Sequence, residues 1–358
     1  MSNTDVAVSS LEVQPTSSAL SDRRAALAAL SFRRIGAVYV WLLIIVLFSF
    51  WSPDLFPKMA TVRAIANDYS ISGLAALAIL LPMASGTFDV SIGGNMSLAG
   101  VTSAWLLVHT HLSIELVALL TVAVGVVIGL VNSLVVVTLR IPSLIGTLAI
   151  GGIADALSIA VSGNQTLSSP ALAGPFSRRF AQINWDGFTI PVLFVLVVTA
   201  ILGVILSQTS SGRYMYAVGF EPQVSRLAGI RVNAIRTAAL VSSGAIAAFA
   251  GMVLAAHVAS ASPNGGDAYL LPAFAAVFLG ATQFRAKRFN AVGTLIAVFM
   301  LGTGQYGLLL VGAPQWSPNI FQGVALIAAI GLTHLGGPGN ATRRQVRSGR
   351  RTSRAAAA

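Results

Sequence analysis

Apolar residues occur in long runs that short polar segments separate. Each run has roughly the 17–25 mostly apolar residues that an α-helix needs to cross a bilayer. The predicted spans are 35–52, 68–86, 90–108, 115–138, 143–162, 188–206, 237–256, 268–284, 291–310 and 317–335. The pattern therefore predicts an all-α polytopic integral membrane protein with about ten transmembrane helices, and an even number puts both termini on one side.

The composition agrees with a membrane protein. Of the 358 residues, 55% are apolar and only 9% are charged, against about 25% charged residues in an average soluble domain. This composition excludes a soluble enzyme. The predicted organisation is a disordered cytoplasmic tail over 1–34, a transmembrane domain over 35–335 and a basic cytoplasmic tail over 336–358.

The positions of the basic residues predict the orientation. If both termini are cytoplasmic, 18 of the 22 Lys and Arg residues fall in cytoplasmic segments, as the positive-inside rule requires. The cations lie in short clusters between apolar runs, so we expect no nucleic-acid partner. The basic tail after 336 is expected to be attracted to anionic membrane lipid.

The sequence contains no recognisable catalytic or metal-binding constellation. A phosphate-binding loop ends in Gly-Lys-Ser/Thr, and neither Lys58 nor Lys287 follows a glycine; cysteine is absent. His109, His111 and Glu115 lie near one outer loop, where a solvated turn is the simpler interpretation. We therefore expect no catalytic residue, metal or cofactor, and any ATP-driven step requires a partner.

A polar segment at 86–95 interrupts the apolar pattern between the second and third spans and contains Asp89, Ser91 and Asn95. Two hypotheses remain open. It is either a tight cytoplasmic turn in which Asp89 or Ser91 caps the next helix, or a broken helix facing protein or a water-filled path. Asp155 within span five is expected to be partly buried against another helix. The scarcity of intramembrane acids argues against a stand-alone ion-coupled transporter.

The longest cytoplasmic segment, 207–236, predicts a short amphipathic helix from Glu221 to Leu227. Arg226 lies in its last turn and Gly229 ends it. Such a helix on the cytoplasmic face can dock into a groove of a soluble partner.

Together these segments resemble the ribose/xylose-type permease subunits of bacterial ATP-binding cassette importers, in the wider superfamily of branched-chain amino acid and sugar permeases. The run GTFDVSIG at 86–93 is similar to the family's G-G-x-D-L-S-V-G, and LRIPSLIGTL at 139–148 matches L-x-[IV]-P-x-[FL]-I-x-T-L. Further matches, in the same order, lie at 212–230, 242–251 and 265–269. The resemblance extends over about 35–335.

The resemblance implies a homodimer of permeases in the bacterial plasma (inner) membrane. Each would dock on an ATPase subunit, and a periplasmic or lipoprotein sugar-binding protein would deliver a monosaccharide. It implies that 221–230 is the coupling helix, with Glu221, Arg226, Leu227 and Gly229 at the ATPase contact. It also implies that Asp89, Ser91 and Asn95 contribute to the translocation pathway.

Two departures from the family pattern leave the identity of the transported solute open. Pro272 stands where the family commonly has an aspartate, and the usual glycine-rich loop is replaced by a basic segment at 285–290. The alternatives are a stand-alone ion-coupled secondary transporter and an importer permease for a non-sugar solute.

Overall fold

The computed structural model describes residues 32–282 and 288–335, and these form a helical bundle. The helices are α1 (Phe32–Trp51), α2 (Met59–Ala84), α3 (Ile92–His109), α4 (Ile114–Ser133, continued by a π-helical turn, Leu134–Thr138), α5 (Ser143–Ser162), α6 (Ser177–Phe180), α7 (Ile190–Gln208), α8 (Ser210–Phe220), α9 (Pro222–Leu227), α10 (Val232–Val258), α11 (Asp267–Ala281), α12 (Ala291–Leu310) and α13 (Ser317–Leu335). A second π-helical turn, Leu172–Phe176, precedes α6.

The short strands lie in the connections. Strands β1 (Leu167–Ser168) and β4 (Ser260–Ala261) pair antiparallel, and β2 (Ile183–Trp185) and β3 (Phe188–Thr189) form a hairpin. The first pair ties the segment after α5 to the segment between α10 and α11.

Each predicted span overlaps one helix of the bundle. Six helices in the described part are long and apolar enough to cross a membrane: α2, α4 with its π-helical turn, α5, α7, α10 and α12. The largest difference is at α2, which begins nine residues before the predicted span 68–86, because Arg63, Asn67 and Asp68 lower the hydropathy of its first turns. The predictions for 1–31 and 336–358, and for 283–287 of the basic loop, lie outside the described residues.

Helices α2 and α10 form the centre of the bundle. Helix α2 packs against α7, α10, α11 and α12, while α10 also packs against α3 and α4. From Leu74 to Leu80 the side chains of α2 are fully buried. In contrast, α4, α5 and α7 expose many apolar side chains, including Leu119, Leu148 and Leu193, as expected for helices that face lipid.

Glycines allow the central helices to approach until their backbones touch. A Cβ atom on Gly251 of α10 would overlap the carbonyl of Met96 on α3, and one on Gly94 would overlap the carbonyl of Gly151 on α5. Small residues at membrane helix contacts permit such close packing. The seam between α3 and α10 is therefore tightly closed along this contact.

Candidate translocation and coupling sites

The segment between α2 and α3 has an irregular backbone, and its polar side chains are buried while Gly86 and Phe88 are exposed. Gly86 has φ +74°, the left-handed conformation that redirects the chain after α2. Asp89 is fully buried, and Thr87 and Ser91 are 2% and 1% exposed. Non-helical backbone at membrane depth is tolerated where protein covers it. These side chains are buried in protein, and Asp89 also accepts a hydrogen bond from the Ser91 amide at the start of α3, so the tight turn with a capping Asp89 and the broken helix both stay hypotheses.

A hydrogen-bonded cluster surrounds the Asp89 carboxylate, and we call Asp89, Ser91, Asn95, Asn132 and Ser243 the polar cluster. Asp89 Oδ1 accepts from the Ser91 amide at 3.1 Å and from the Ser91 hydroxyl at 2.6 Å. Asn132 Nδ2 of α4 donates to the Ser91 hydroxyl at 2.7 Å and lies 3.4 Å from Asp89 Oδ1. Asn95 donates to the Gly244 carbonyl of α10 at 2.9 Å. The cluster thus joins α3, α4 and α10.

Two oxygens of the polar cluster keep free hydrogen-bonding capacity. Asn95 Oδ1 and Asn132 Oδ1 have no hydrogen-bond partner among the described residues, and the Ser243 hydroxyl interacts with the Asp89 carboxyl. All five side chains are at most 1% exposed. Because unsatisfied buried acceptors are costly, the cluster is suited to accept donors such as water or hydroxyl groups.

Asn132 and Ser243 are the members that sequence reasoning missed. Asn132 is the one strongly polar side chain within the apolar run of α4, and that isolation was the available signal. Ser243 carries no such signal, because a serine within a helix is common and only the packing of α10 places it at Asp89.

The polar segment is also hydrogen-bonded to the first turns of α5. The Val90 amide donates to Thr147 Oγ1 at 2.9 Å, and the Phe88 amide donates to Ser143 Oγ at 3.1 Å. Two motifs that are 50 residues apart in sequence, 86–93 and 139–148, are therefore in direct contact.

A cavity of about 280 Å³ lies further along the seam between α3 and α10. It is lined mainly by small side chains of α3, α10 and the segment before α11, with Ser97, Ser260, Ser262 and Tyr269 as its polar groups. Eight residues of α10 separate Ser243 from Gly251 in the cavity wall, about 12 Å along a helix. The cavity and the polar cluster thus lie on one seam and are separated by tight glycine packing.

Two acidic side chains lie beside the start of α3. An Asp155 oxygen approaches Gly94 and an Asp267 oxygen approaches Gly93. Asp155 is partly buried against α3, as the sequence predicted, and its Oδ1 has no hydrogen-bond partner among the described residues. Both acids therefore lie against α3, the helix that carries Asn95 of the polar cluster.

The short helix α9 and Phe220, the last residue of α8, form an exposed apolar surface. Glu221 is its N-cap, and the helix ends at Leu227, followed by Gly229 with φ +79°. Leu227 is 90% exposed, Phe220 is 91% exposed and Val224 is 61% exposed. We call these three residues the apolar triad. Glu221 and Arg226 are also exposed, and Arg226 lies 3.4 Å from Asn233 Oδ1.

A backbone contact joins this surface to the polar segment. Gly219, the residue before Phe220, packs against the Ala84 carbonyl and Gly86, where no Cβ atom would fit. Gly86 lies three residues before Asp89. The end of α8 is therefore in direct backbone contact with the segment that carries the polar cluster.

The remaining candidates have structural roles. Glu115 near the outer loop pairs with Arg179 at 2.9 Å, and His109 stacks on Trp105. Within residues 32–282 and 288–335, no three His, Cys, Asp or Glu side chains converge as metal ligands.

Comparison with known proteins identifies the family. Residues 61–330 match the family described as the permease component of the branched-chain amino acid transport system. The chain belongs to this family. It is a multi-pass permease of the plasma (inner) membrane, and the polar cluster, the cavity and α9 all lie within the matched residues. No solved structure matches the chain.

The chain is similar to several import permeases. It is 31% identical to the ribose import permease of Escherichia coli strain K12, over 81% of this chain and 90% of that protein. It is 27% identical to the fructose import permease of Rhizobium meliloti, over 76% and 77% respectively. It is 26% identical to the autoinducer 2 import permease LsrD of Escherichia coli strain K12, over 74% and 81%.

Proposed function

We propose that this protein is the permease subunit of an ATP-binding cassette importer that takes up a monosaccharide of the ribose or xylose type. A periplasmic or lipoprotein binding protein delivers the sugar, and a partner ATPase supplies the energy. The observation that carries the proposal is the contact of Gly219 with Gly86, which connects an exposed surface for a soluble partner to a buried polar cluster. The family and the sugar permeases among the relatives support it.

We propose ten transmembrane helices with both termini in the cytoplasm. The distribution of basic residues supports this topology, since 18 of 22 then fall on the cytoplasmic side. It places α8 and α9 on the cytoplasmic side, where an ATPase is present. It places the cavity toward the opposite side, from which a binding protein delivers its solute.

The apolar triad is the proposed ATPase contact, together with the polar residues Glu221 and Arg226. An exposed apolar side chain on a solvent-facing helix is well suited to fill a pocket of a partner, and such anchors carry most of the binding energy of an interface. Gly229 ends the helix and leaves Leu227 at its projecting tip. We infer that a movement of the ATPase against α9 would displace Gly219, which lies at the end of α8.

Asp89, Ser91 and Asn95 are the proposed polar groups of the translocation pathway, with Asn132 and Ser243 beside them. Their unpartnered oxygens are acceptors, which complement the hydroxyl groups of a sugar. Because all five are buried, a pathway through them would have to open for a solute to reach them. Separation of α3 from α10 would connect the cavity to the polar cluster.

We further propose that the permease works as a homodimer. Helix α5 exposes the apolar side chains of Leu148, Ile153 and Leu157. A second copy packed against this helix would cover them.

The test of substrate class is reconstitution of the chain with its ATPase and binding protein in liposomes. We expect the binding protein loaded with ribose or xylose to stimulate ATP hydrolysis, and the unloaded protein to stimulate it less. The similarity to an autoinducer 2 import permease favours a second candidate solute, autoinducer 2. Stimulation by autoinducer 2 and by neither pentose would replace the monosaccharide with that second candidate.

A further inference from the structure

A second cavity, of about 460 Å³, lies between α1, α2, α7 and α12, away from the polar cluster. Ten of its thirteen lining residues are apolar, and Ser49, Thr61 and Thr303 are the others. Thr61 donates to the Leu55 carbonyl at 2.8 Å, and Thr303 accepts from the Trp41 indole at 2.8 Å. Since Thr61, Thr303 and the Trp41 indole are paired within the protein, the cavity offers a ligand mainly apolar contacts. We call it the apolar groove.

The apolar groove opens on the lipid-facing surface. Val62 and Leu196 line it and are 53% and 49% exposed, and Leu43 on the neighbouring face of α1 is 66% exposed. From Trp41 to Ser49 the groove follows α1 for about 12 Å. An apolar groove of this length parallel to membrane helices suits part of an acyl chain.

An uncompensated cation lies at one end of the groove. Pro57 lines the groove, and the next residue, Lys58, is exposed and is the N-cap of the 26-residue helix α2. No carboxylate lies within ion-pair distance of Lys58 in the described part of the chain, whereas Arg63 nearby is bound to Asp186 at 2.8 Å. A lysine at a helix N-terminus favours an anion there.

We propose that the apolar groove binds an anionic phospholipid, with one acyl chain between α1 and α2 and the phosphate at Lys58. The apolar lining and the Lys58 cation at the mouth complement the two parts of such a lipid. A sugar has no acyl chain, and a zwitterionic lipid carries a cation that offsets the charge of its phosphate, so an anionic phospholipid complements both features best. The site is independent of the proposed transport function.

The experiment is native mass spectrometry of the delipidated full chain in detergent, titrated with dioleoyl phosphatidylglycerol or dioleoyl phosphatidylcholine. We expect the anionic lipid to bind about fivefold more tightly, as one cation near the headgroup predicts. Lys58→Gln should abolish this preference. The matched control, Arg178→Gln, removes an exposed cation from α6 and should leave the preference unchanged.

A groove-filling substitution tests the acyl-chain part. Ala66→Phe should weaken the binding of both lipids, while Lys58→Gln affects only the anionic one. Because Lys58 is exposed, its variant tests the proposal even if Ala66→Phe fails to fold. Equal affinity for the two lipids, or a preference that survives Lys58→Gln, would overturn the proposal. A dimer that Ala66→Phe dissociates would instead assign the groove to a second copy of the chain.

Discussion

The contact between Gly86 and Gly219 leads to a prediction that a matched pair of substitutions tests. Gly86 has φ +74° and Gly312 has φ +75°, so alanine at either position bears a similar backbone cost, roughly 1–2 kcal/mol for a left-handed residue. Only Gly86 is crowded: its Cβ atom would lie 3.0 Å from Gly219 Cα and 3.2 Å from Gly219 O. No described atom lies within 4 Å of the corresponding position at Gly312.

The crowding at Gly86 determines how much more Gly86→Ala should lower the free energy of unfolding than Gly312→Ala does. Optimal carbon–carbon contacts are about 3.5–4.0 Å, so the new methyl group must push α8 away from α2. Overpacking of this kind costs about 1–3 kcal/mol. Gly86→Ala should therefore lower the free energy of unfolding by about 2–5 kcal/mol, and Gly312→Ala by about 1–2 kcal/mol.

The functional assay is ATP hydrolysis stimulated by the loaded binding protein in liposomes. We expect Gly86→Ala to lose most of the stimulation and Gly312→Ala to keep it. A loss in Gly86→Ala alone would not distinguish the contact from a disturbance of Asp89, which is three residues away. Gly219→Ala, on the α8 side of the same contact, is therefore the second variant, and it should lose the stimulation as well. Equal stimulation in Gly86→Ala and Gly312→Ala would refute coupling through this contact.

Four further predictions concern the polar cluster, α9 and the cavity. Asp89→Asn should reduce uptake and lower the free energy of unfolding by about 1–3 kcal/mol, because three donors lose a charged acceptor; normal uptake would favour a capping role alone. Glu221→Ala with Arg226→Ala should lower uptake and stimulated hydrolysis without changing membrane insertion, measured in the same vesicles, and unchanged coupling would remove both from the ATPase contact. Leu227→Asp should weaken ATPase binding in a pull-down by at least tenfold while the melting temperature stays within 2 °C, since an exposed substitution alters stability little. Ala268→Trp, at an exposed position in the cavity wall, should block uptake and spare basal ATP hydrolysis, and full uptake would exclude the cavity from the pathway.

The sequence predicted helices better than it predicted contacts. Each span predicted from hydropathy overlaps a helix, and six of these helices are long and apolar enough to cross a membrane, but the polar first turns of α2 concealed its beginning. The prediction of α9 was accurate because Pro222 and Gly229 mark its two ends. The contact of Gly219 with Gly86 joins residues 133 positions apart, and glycines of this kind give no local signal.

The polar cluster also shows that contacts between residues far apart in the sequence were not predictable from it. Asp89 was recognisable because an acid within an apolar stretch is rare. Its partners Asn132 and Ser243 come from helices whose order around α3 only the fold determines. The sequence also left open whether 86–95 is a tight capping turn or a broken helix. The structure adds that Asp89 is fully buried, and the Asp89→Asn variant tests between the two hypotheses.

The energy source tests the central claim most directly. The measurement is uptake of radiolabelled monosaccharide into liposomes that contain the chain with its ATPase, in the presence of the binding protein. We predict uptake that requires ATP on the ATPase side, persists when ionophores remove proton and sodium gradients, and stops without the binding protein. Uptake by the chain alone, driven by a proton or sodium gradient without ATP, would contradict the account and indicate a secondary transporter.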